Sequence, residues 1–319
     1  MSGQTGRLMG AAMAITLGAA TLSACGDSTG SGDGPKKTVV TLGFVNGGNT
    51  EFHTCLQRSV EGEAAQRGVK VISANSKQDA KTELANIDSM IAQGVDAIIV
   101  QTVNTGALKA DIERAGRAKI PIFLTSVAPD DTSTVLGAVA VDLNQVGLLD
   151  AGWVSNDAVG APRTAGIVAG APGAASDLLV KGFVDGLPKN IKVVATAPGM
   201  FNRAKAKTAA AKMIKEHPDI AYAFVVNEDM AFGVQQAFAA AHKNVKIATV
   251  NGTDAGLAAI KDGRFGATVA IPASKLGQKA VENTLSLLDK EPITKIDYVP
   301  INLITKTDID QAPRYCLTG

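Results

Sequence analysis

The chain has three cysteines, and they carry its most definite chemistry. Cys25 closes the segment Leu22-Ser23-Ala24-Cys25-Gly26, behind Arg7 and an apolar run from Leu8 to Leu22. One basic residue, a short apolar stretch and small residues before a cysteine are what export and lipoprotein processing require. The apolar run is too short to span a bilayer. Cleavage before Cys25 would free its thiol to take diacylglycerol, and two or three acyl chains anchor firmly where one does not. Cys55 and Cys316 remain. An even pair in an exported chain suits a disulfide, with two unrelated buried thiols as the alternative.

The second kind of chemistry is hydrogen bonding by neutral amides. Asn46, Asn227 and Asn251 each end an apolar run that leads into a helical pattern. An amide there can bind a hydroxyl group of a guest, or it can cap the helix that follows. Phe52 and His53 open the first helical pattern beside Asn46 and add an aromatic surface. Nothing pairs a nucleophile with a base. The three histidines are scattered, and His217 and His242 sit near helix C-termini, where a polar ring complements the dipole. His53-Thr54-Cys55 is a metal-like fragment without partners. No phosphate-binding loop or dinucleotide fingerprint follows a strand, and no cofactor is expected.

These residues must be held by a larger frame. The 319 residues are 46% apolar with only 4% aromatic, which suits two medium domains with aliphatic cores. Lys and Arg total 31 against 30 Asp and Glu. Arg7 is the one charged residue before Cys25, so the processed chain balances to zero, which argues against a nucleic-acid partner. Gly26 to Lys37 is rich in Gly, Ser and Asp and reads as a flexible tether.

From Thr38 onward, strand and helix patterns alternate. Strands read at Val39 to Val45, Val69 to Ser73, Ala97 to Val100, Ile122 to Leu124 and Val135 to Val139. Helices read at Phe52 to Arg67, Ala80 to Ala92 and Ala107 to Ala118. A second series follows, with helices at Asn144 to Asn156, Ala174 to Gly186, Ala204 to Glu216 and Met230 to Ala241. Its strands read at Ala165 to Ala169, Lys192 to Ala195, Ala221 to Val226 and Lys246 to Val250. Alternation at this spacing means parallel pairing through right-handed crossovers in doubly wound α/β sheets, whose ligand groups sit at the carboxyl ends of the strands.

Several stretches carry a family likeness: Glu83-Leu84-Ala85-Asn86-Ile87-Asp88, Gly94 to Val100, Ile120-Pro121-Ile122 and Glu216-His217-Pro218-Asp219-Ile220. To these add Asn227-Glu228-Asp229-Met230-Ala231-Phe232-Gly233, and Asn251-Gly252-Thr253-Asp254-Ala255-Gly256 followed by Lys261-Asp262-Gly263. Together they resemble the periplasmic sugar-binding proteins of the ribose-binding type, solute receptors of ABC importers. The likeness runs from Thr38 to about Thr305. It implies two Rossmann-like lobes, the type I periplasmic binding protein fold, joined by three hinge crossings near Val141, Ile271 and Ile301. It also places the first lobe at 38–141 plus 272–300 and the second at 142–271 plus 301–319, behind the signal peptide 1–24 and the lipidated cysteine and tether 25–37 read from the N-terminal residues.

The resemblance further implies a ligand set: Asn46, Phe52, His53, Ser126, Asp177, Phe201, Arg203, Asn227 and Asn251. His53 stands where relatives carry an aromatic, and Asn251 where they carry a carboxylate. Sugar receptors often have Asp-Arg at Ser126 and Val127 and Arg at Asp177. Both arginines are missing here, so ribose itself is not the expected guest. Gln101, Asn104 and Ser126 could add neutral hydrogen bonds or serve as ordinary loop residues. The expectation is a lipid-anchored extracytoplasmic receptor that closes on a small neutral sugar or polyol and hands it to an ABC permease. Three alternatives differ in output: a chemoreceptor or sensor-kinase partner, the effector domain of a lactose-repressor-like regulator, and an exported enzyme. The lipobox, standing where DNA-binding helices would be, weighs against the regulator, and the missing catalytic set weighs against the enzyme.

Overall fold

The computed structural model describes residues 39–129 and 131–317. The export segment, Cys25 and the tether through Lys37 lie outside the described residues. The first half of the chain alternates β1 (Thr41–Asn46), α1 (Glu51–Gln66), β2 (Lys70–Asn75), α2 (Ala80–Ala92), β3 (Ala97–Val100), α3 (Thr105–Arg117), β4 (Ile122–Ser126) and β5 (Gly137–Ala140). The second half continues with α4 (Leu143–Ala158), β6 (Arg163–Ala169), α5 (Ala174–Gly186), β7 (Ile191–Pro198), α6 (Arg203–Glu216), β8 (Tyr222–Val225), α7 (Glu228–Ala240), β9 (Lys246–Asn251), α8 (Asp254–Lys261) and β10 (Ala267–Ala270). It closes with α9 (Ala273–Leu288), β11 (Ile296–Tyr298) and β12 (Asn302–Thr305). The elements from α8 onward lie beyond the segments assigned by periodicity.

Two six-stranded sheets result, ordered β11-β5-β4-β3-β1-β2 and β12-β10-β9-β8-β6-β7. The central strands β3 and β8 are buried at every position, which is why they read as unbroken apolar runs: helices cover both their faces. Polar side chains start the helices. Asp79 accepts from the Thr82 backbone N–H before α2, Asp142 from Gln145 before α4, and Asn202 from Lys205 before α6, each satisfying an orphan donor of the first turn.

The chain changes sheet after β5, after β10 and between β11 and β12. Direction explains the one departure from parallel pairing. β11 runs parallel to β5, so it leaves the first sheet at the carboxyl ends of the strands. Entering the second sheet from that side, β12 must run against its neighbours, and it pairs antiparallel with β10.

Packing of α4 against α5 is close enough to exclude any side chain at two positions. A Cβ at Gly182 would lie 2.0 Å from the Asn144 carbonyl oxygen, and one at Gly147 would lie 2.2 Å from that of Leu179. The contact fixes where α5 presents Leu179. Beneath it, Phe183 stacks on Phe224 with centroids 4.4 Å apart.

Beyond β12 the tail returns to the first sheet. Cys316 is joined to Cys55 of α1 by a disulfide, with Cα atoms 5.0 Å apart. Buried Tyr315 packs with Cys55 and Ala273, its carbonyl accepts from Ser274 N–H, and the Ser274 hydroxyl donates to the Arg314 carbonyl. Ser59 of α1 donates in turn to the Ser274 carbonyl, so α1, α9 and the tail form one assembly.

Candidate functional site

A cavity of about 170 Å³ lies where the carboxyl ends of the two sheets meet, the location that doubly wound topology favours for a ligand. Six of the nine residues singled out from sequence line it: Phe52, His53, Ser126, Phe201, Asn227 and Asn251. They come from both sheets.

His53 is the third residue of α1. Its Nδ1 accepts from the Thr50 backbone N–H at 3.3 Å and lies 2.8 Å from the Thr50 hydroxyl, so the side chain caps its own helix. Because the backbone group can only donate, Nδ1 is the acceptor and Nε2 carries the proton. Burial pulls the ring's pKa down to about 4, against a smaller upward effect of the hydrogen bond to Gln101. The imidazole is therefore a neutral donor at ordinary pH. Gln101, at the end of β3, accepts from Gly47 N–H at 3.0 Å, which leaves its NH2 group directed to little else than the Thr102 carbonyl at 3.5 Å.

On the second sheet, Asn227 does two jobs. Its Oδ1 caps α7 by accepting from Met230 N–H at 2.9 Å, and its NH2 finds no partner among the described residues. Asn251 is different. The cap of α8 is Thr253, which accepts from Gly256 N–H at 2.9 Å, so the capping role open to Asn251 falls to another residue. No described residue bonds the Asn251 side chain.

Phe201 lies over Gly170, where a Cβ would approach its ring to 2.2 Å; only glycine lets the aromatic settle at that depth. Strain is concentrated here. Gln78, Ser126, Phe201 and Asn251 all have positive φ, at 62°, 73°, 48° and 140°, and all four line the cavity. Non-glycine residues in this region cost of order 1–3 kcal/mol each and tend to gather where a ligand is clamped.

Two buried carboxylates hold the strand-end loops. Glu83 of α2 accepts from the Thr102 hydroxyl at 2.7 Å and Val103 N–H at 2.6 Å. Glu228 of α7 accepts from Gly252 and Thr253 N–H and from the Thr268 hydroxyl, at 2.7 to 2.9 Å. Burial raises the pKa of both, that of Glu83 to about 7. Each glutamate thus fixes the loop after the next strand: Thr102 and Val103 line the cavity themselves, and Gly252 directly follows Asn251, which does.

The remaining three residues of the expected set do not reach the cavity, each for a local reason. Asn46 is buried, but its NH2 donates to the His53 carbonyl and to Gln57 Oε1, so it braces α1 behind His53. Asp177 is exposed and accepts from Gly173 N–H at 3.3 Å, a first-turn carboxylate serving its own helix. Arg203 turns outward to Asp229 at 2.7 Å and lies over the Phe232 ring at 5.3 Å. Asn104 caps α3 by accepting from Gly106 N–H.

Cavity residues that sequence reading did not single out include Thr50, Gln78, Thr102 and Leu179. Gln78 could have been sought in the loop after β2, since every strand-end loop at this edge is a candidate. Among the described residues no group of three or more His, Cys, Asp or Glu is arranged to hold a metal ion. None of their helices is long and apolar enough to cross a membrane.

Comparison with known proteins fits this geometry. The chain is 29% identical over 278 residues to the ribose import binding protein RbsB of Bacillus subtilis, covering 86% of this chain and 90% of that one. It is 28% identical over 320 residues to a xylitol-binding protein of Mycolicibacterium smegmatis, covering 97% and 87%. Among solved structures, the binding protein of an arabinose ABC transporter from Shewanella sp. ANA-3, bound to α- and β-L-arabinofuranose, superposes with a TM-score of 0.80 at 27% identity. That match covers 85% of this chain and 94% of the other. These relatives are binding proteins and not enzymes. A family model for the periplasmic binding protein domain matches residues 42–292, and the chain accordingly belongs to the periplasmic binding protein family, with the two-sheet fold of its type I members.

Proposed function

We propose that this protein is an extracytoplasmic solute receptor of an ABC importer that takes one small neutral sugar or polyol into the cavity between its lobes. The observation that carries the reading is the cavity's lining, in which amides, hydroxyls and a neutral imidazole converge with two phenylalanine rings from opposite sheets. Such groups match a guest offering hydroxyls on its edges and C–H surface on its faces. The relatives support the class: they are named for ribose import, xylitol binding and an arabinose ABC transporter. On this reading Phe52, His53, Ser126, Phe201, Asn227 and Asn251 touch the guest, while Asn46 acts through His53.

The lobes are residues 38–141 plus 272–300 and 142–271 plus 301–319, with the end of the tail fastened back onto α1. Closure about the three crossings buries the guest, which shifts an open and closed equilibrium by its differential affinity. Cys25 carries the lipid and residues 26–37 form the tether, so that the receptor stays close to its permease. Calorimetry against a panel of neutral sugars, polyols, amino acids and nucleosides tests the reading. Micromolar or tighter binding of a sugar or polyol is expected, and binding of an amino acid or nucleoside alone would overturn it. Mass spectrometry of the membrane-extracted protein tests the anchor: a diacylglycerol adduct on an N-terminal Cys25 is expected, and an unmodified Cys25 would remove it.

A further inference from the structure

The cavity has two unlike walls. The first sheet contributes six residues with hydrogen-bonding side chains, Thr50, His53, Gln78, Gln101, Thr102 and Ser126, beside Gly47 and Val103. From the second sheet come Leu143, Ala171, Ala175, Leu179, Val226 and Val250, with only Asn227 and Asn251 among them able to bond a hydroxyl. Phenylalanine is shared evenly, Phe52 on one side and Phe201 on the other. None of the described lining residues is Asp, Glu, Lys or Arg.

The asymmetry restricts what fits. A hydroxyl turned toward the first sheet meets the NH2 group of Gln101, whose nearest acceptor is the Thr102 carbonyl at 3.5 Å. The same hydroxyl turned toward the Leu179, Val226 and Val250 side chains leaves water and finds no side-chain partner there, which is unfavourable. A methyl or methylene group there gains burial instead. A fully hydroxylated ring cannot satisfy both walls, because its hydroxyls point outward all the way round.

We propose that the guest is a deoxygenated neutral sugar or polyol, seated with its hydroxyls on the first-sheet wall and a hydrocarbon edge against the start of α5. This rests on the reading of the cavity as a site for a neutral sugar or polyol, and it narrows that class. The geometry of α5 favours it further, since backbone contact with α4 through Gly147 and Gly182 holds Leu179 in place and leaves the wall little room to adapt.

The experiment is calorimetry on the full chain with matched pairs: galactose, glucose, mannose and their terminal-deoxy counterparts of the same configuration, together with ribose, xylitol and myo-inositol. In any pair that binds, the deoxy member is expected to be about tenfold tighter than its parent. Ala175→Ser then places a hydroxyl on the apolar wall at an exposed helix position that tolerates it. The variant should shrink the deoxy preference by about threefold or more. A parent sugar that binds as tightly as its deoxy counterpart overturns the inference and leaves the sugar reading standing. So does an unchanged preference in Ala175→Ser, because the wall would then not be the source of discrimination. If no sugar or polyol binds, both fall together.

Discussion

Replacing both Cys55 and Cys316 by alanine removes a cross-link between residues separated by 261 positions, nearly the whole folded chain. In the chain-entropy account a disulfide stabilises by restricting the unfolded state, and a loop of 261 residues corresponds to about 5.6 kcal/mol at 25 °C. That is an upper limit, since denatured chains are already more compact than ideal coils. The native side adds a smaller term: Tyr315 is buried beside Cys55, and its anchoring to Ser274 survives in the variant. We expect a loss of about 3 to 5 kcal/mol, or about 5 to 9 °C in Tm for a chain of this length. The assay is equilibrium urea unfolding of the oxidised protein, the reduced protein and the double variant, followed by far-UV circular dichroism. Reduced protein and variant should unfold together, well below the oxidised form. Midpoints of all three agreeing to within about 1 kcal/mol would refute the reasoning, because so long a loop cannot be closed without a large entropic effect unless the unfolded chain already holds its ends together.

Other perturbations follow from the site and the core. Asn251→Ala is expected to weaken guest binding by about 1 to 3 kcal/mol without breaking any hydrogen bond of the fold, since its side chain bonds no described residue. Asn227→Ala should cost about 1 kcal/mol of stability as well, through the lost cap of α7; calorimetry beside thermal melts separates the two. His53 is held neutral in the fold with a pKa of about 4, below its unfolded value near 6.5. The unfolded chain therefore binds the extra proton first, and stability falls as pH drops from about 6.5 to 4, by at most about 3 kcal/mol. His53→Gln should flatten that slope in pH-dependent melts, and an unchanged slope would show that the ring titrates freely. Asp150 is fully buried with both carboxylate oxygens lacking a partner among the described residues. Burial and the nearby Glu228 raise its pKa well above the usual range. Folded protein keeps this proton while unfolded chain releases it above about pH 4, so native stability declines as pH rises from there. Asp150→Asn should therefore be more stable relative to the native protein at pH 8 than at pH 4, and a constant difference would contradict a protonated Asp150.

Much of the scaffold could be read from residue patterns, because the signal is local. The ranges of β3, α2 and α5 follow from unbroken apolar runs or helical spacing between clear stop residues. The antiparallel β12 could not be read that way. Its direction depends on which side of the second sheet the chain enters, a fact of topology and not of composition. The site shows the same division. Asn227 and Asn251 were recognisable as amides at strand ends, yet choosing between cap and ligand contact required knowing that Thr253 caps α8 while Asn227 caps α7. Arg203 looked available until Asp229, 26 residues later, proved to hold it. Gln78 carried no signal of its own, since nothing in its neighbours shows that its backbone turns to φ 62° and brings the residue to the cavity edge.

The pair of inward glutamates has a kinetic consequence. With Glu83 gripping Thr102 and Val103, and Glu228 gripping Gly252 and Thr253, the two rims arrive at an encounter already frozen. A visiting molecule need not wait for loops to organise, so on the hinged-receptor reading proposed above the slow coordinate of capture is the swing of whole lobes. Variation among guests should then register in residence time far more than in the rate of arrival.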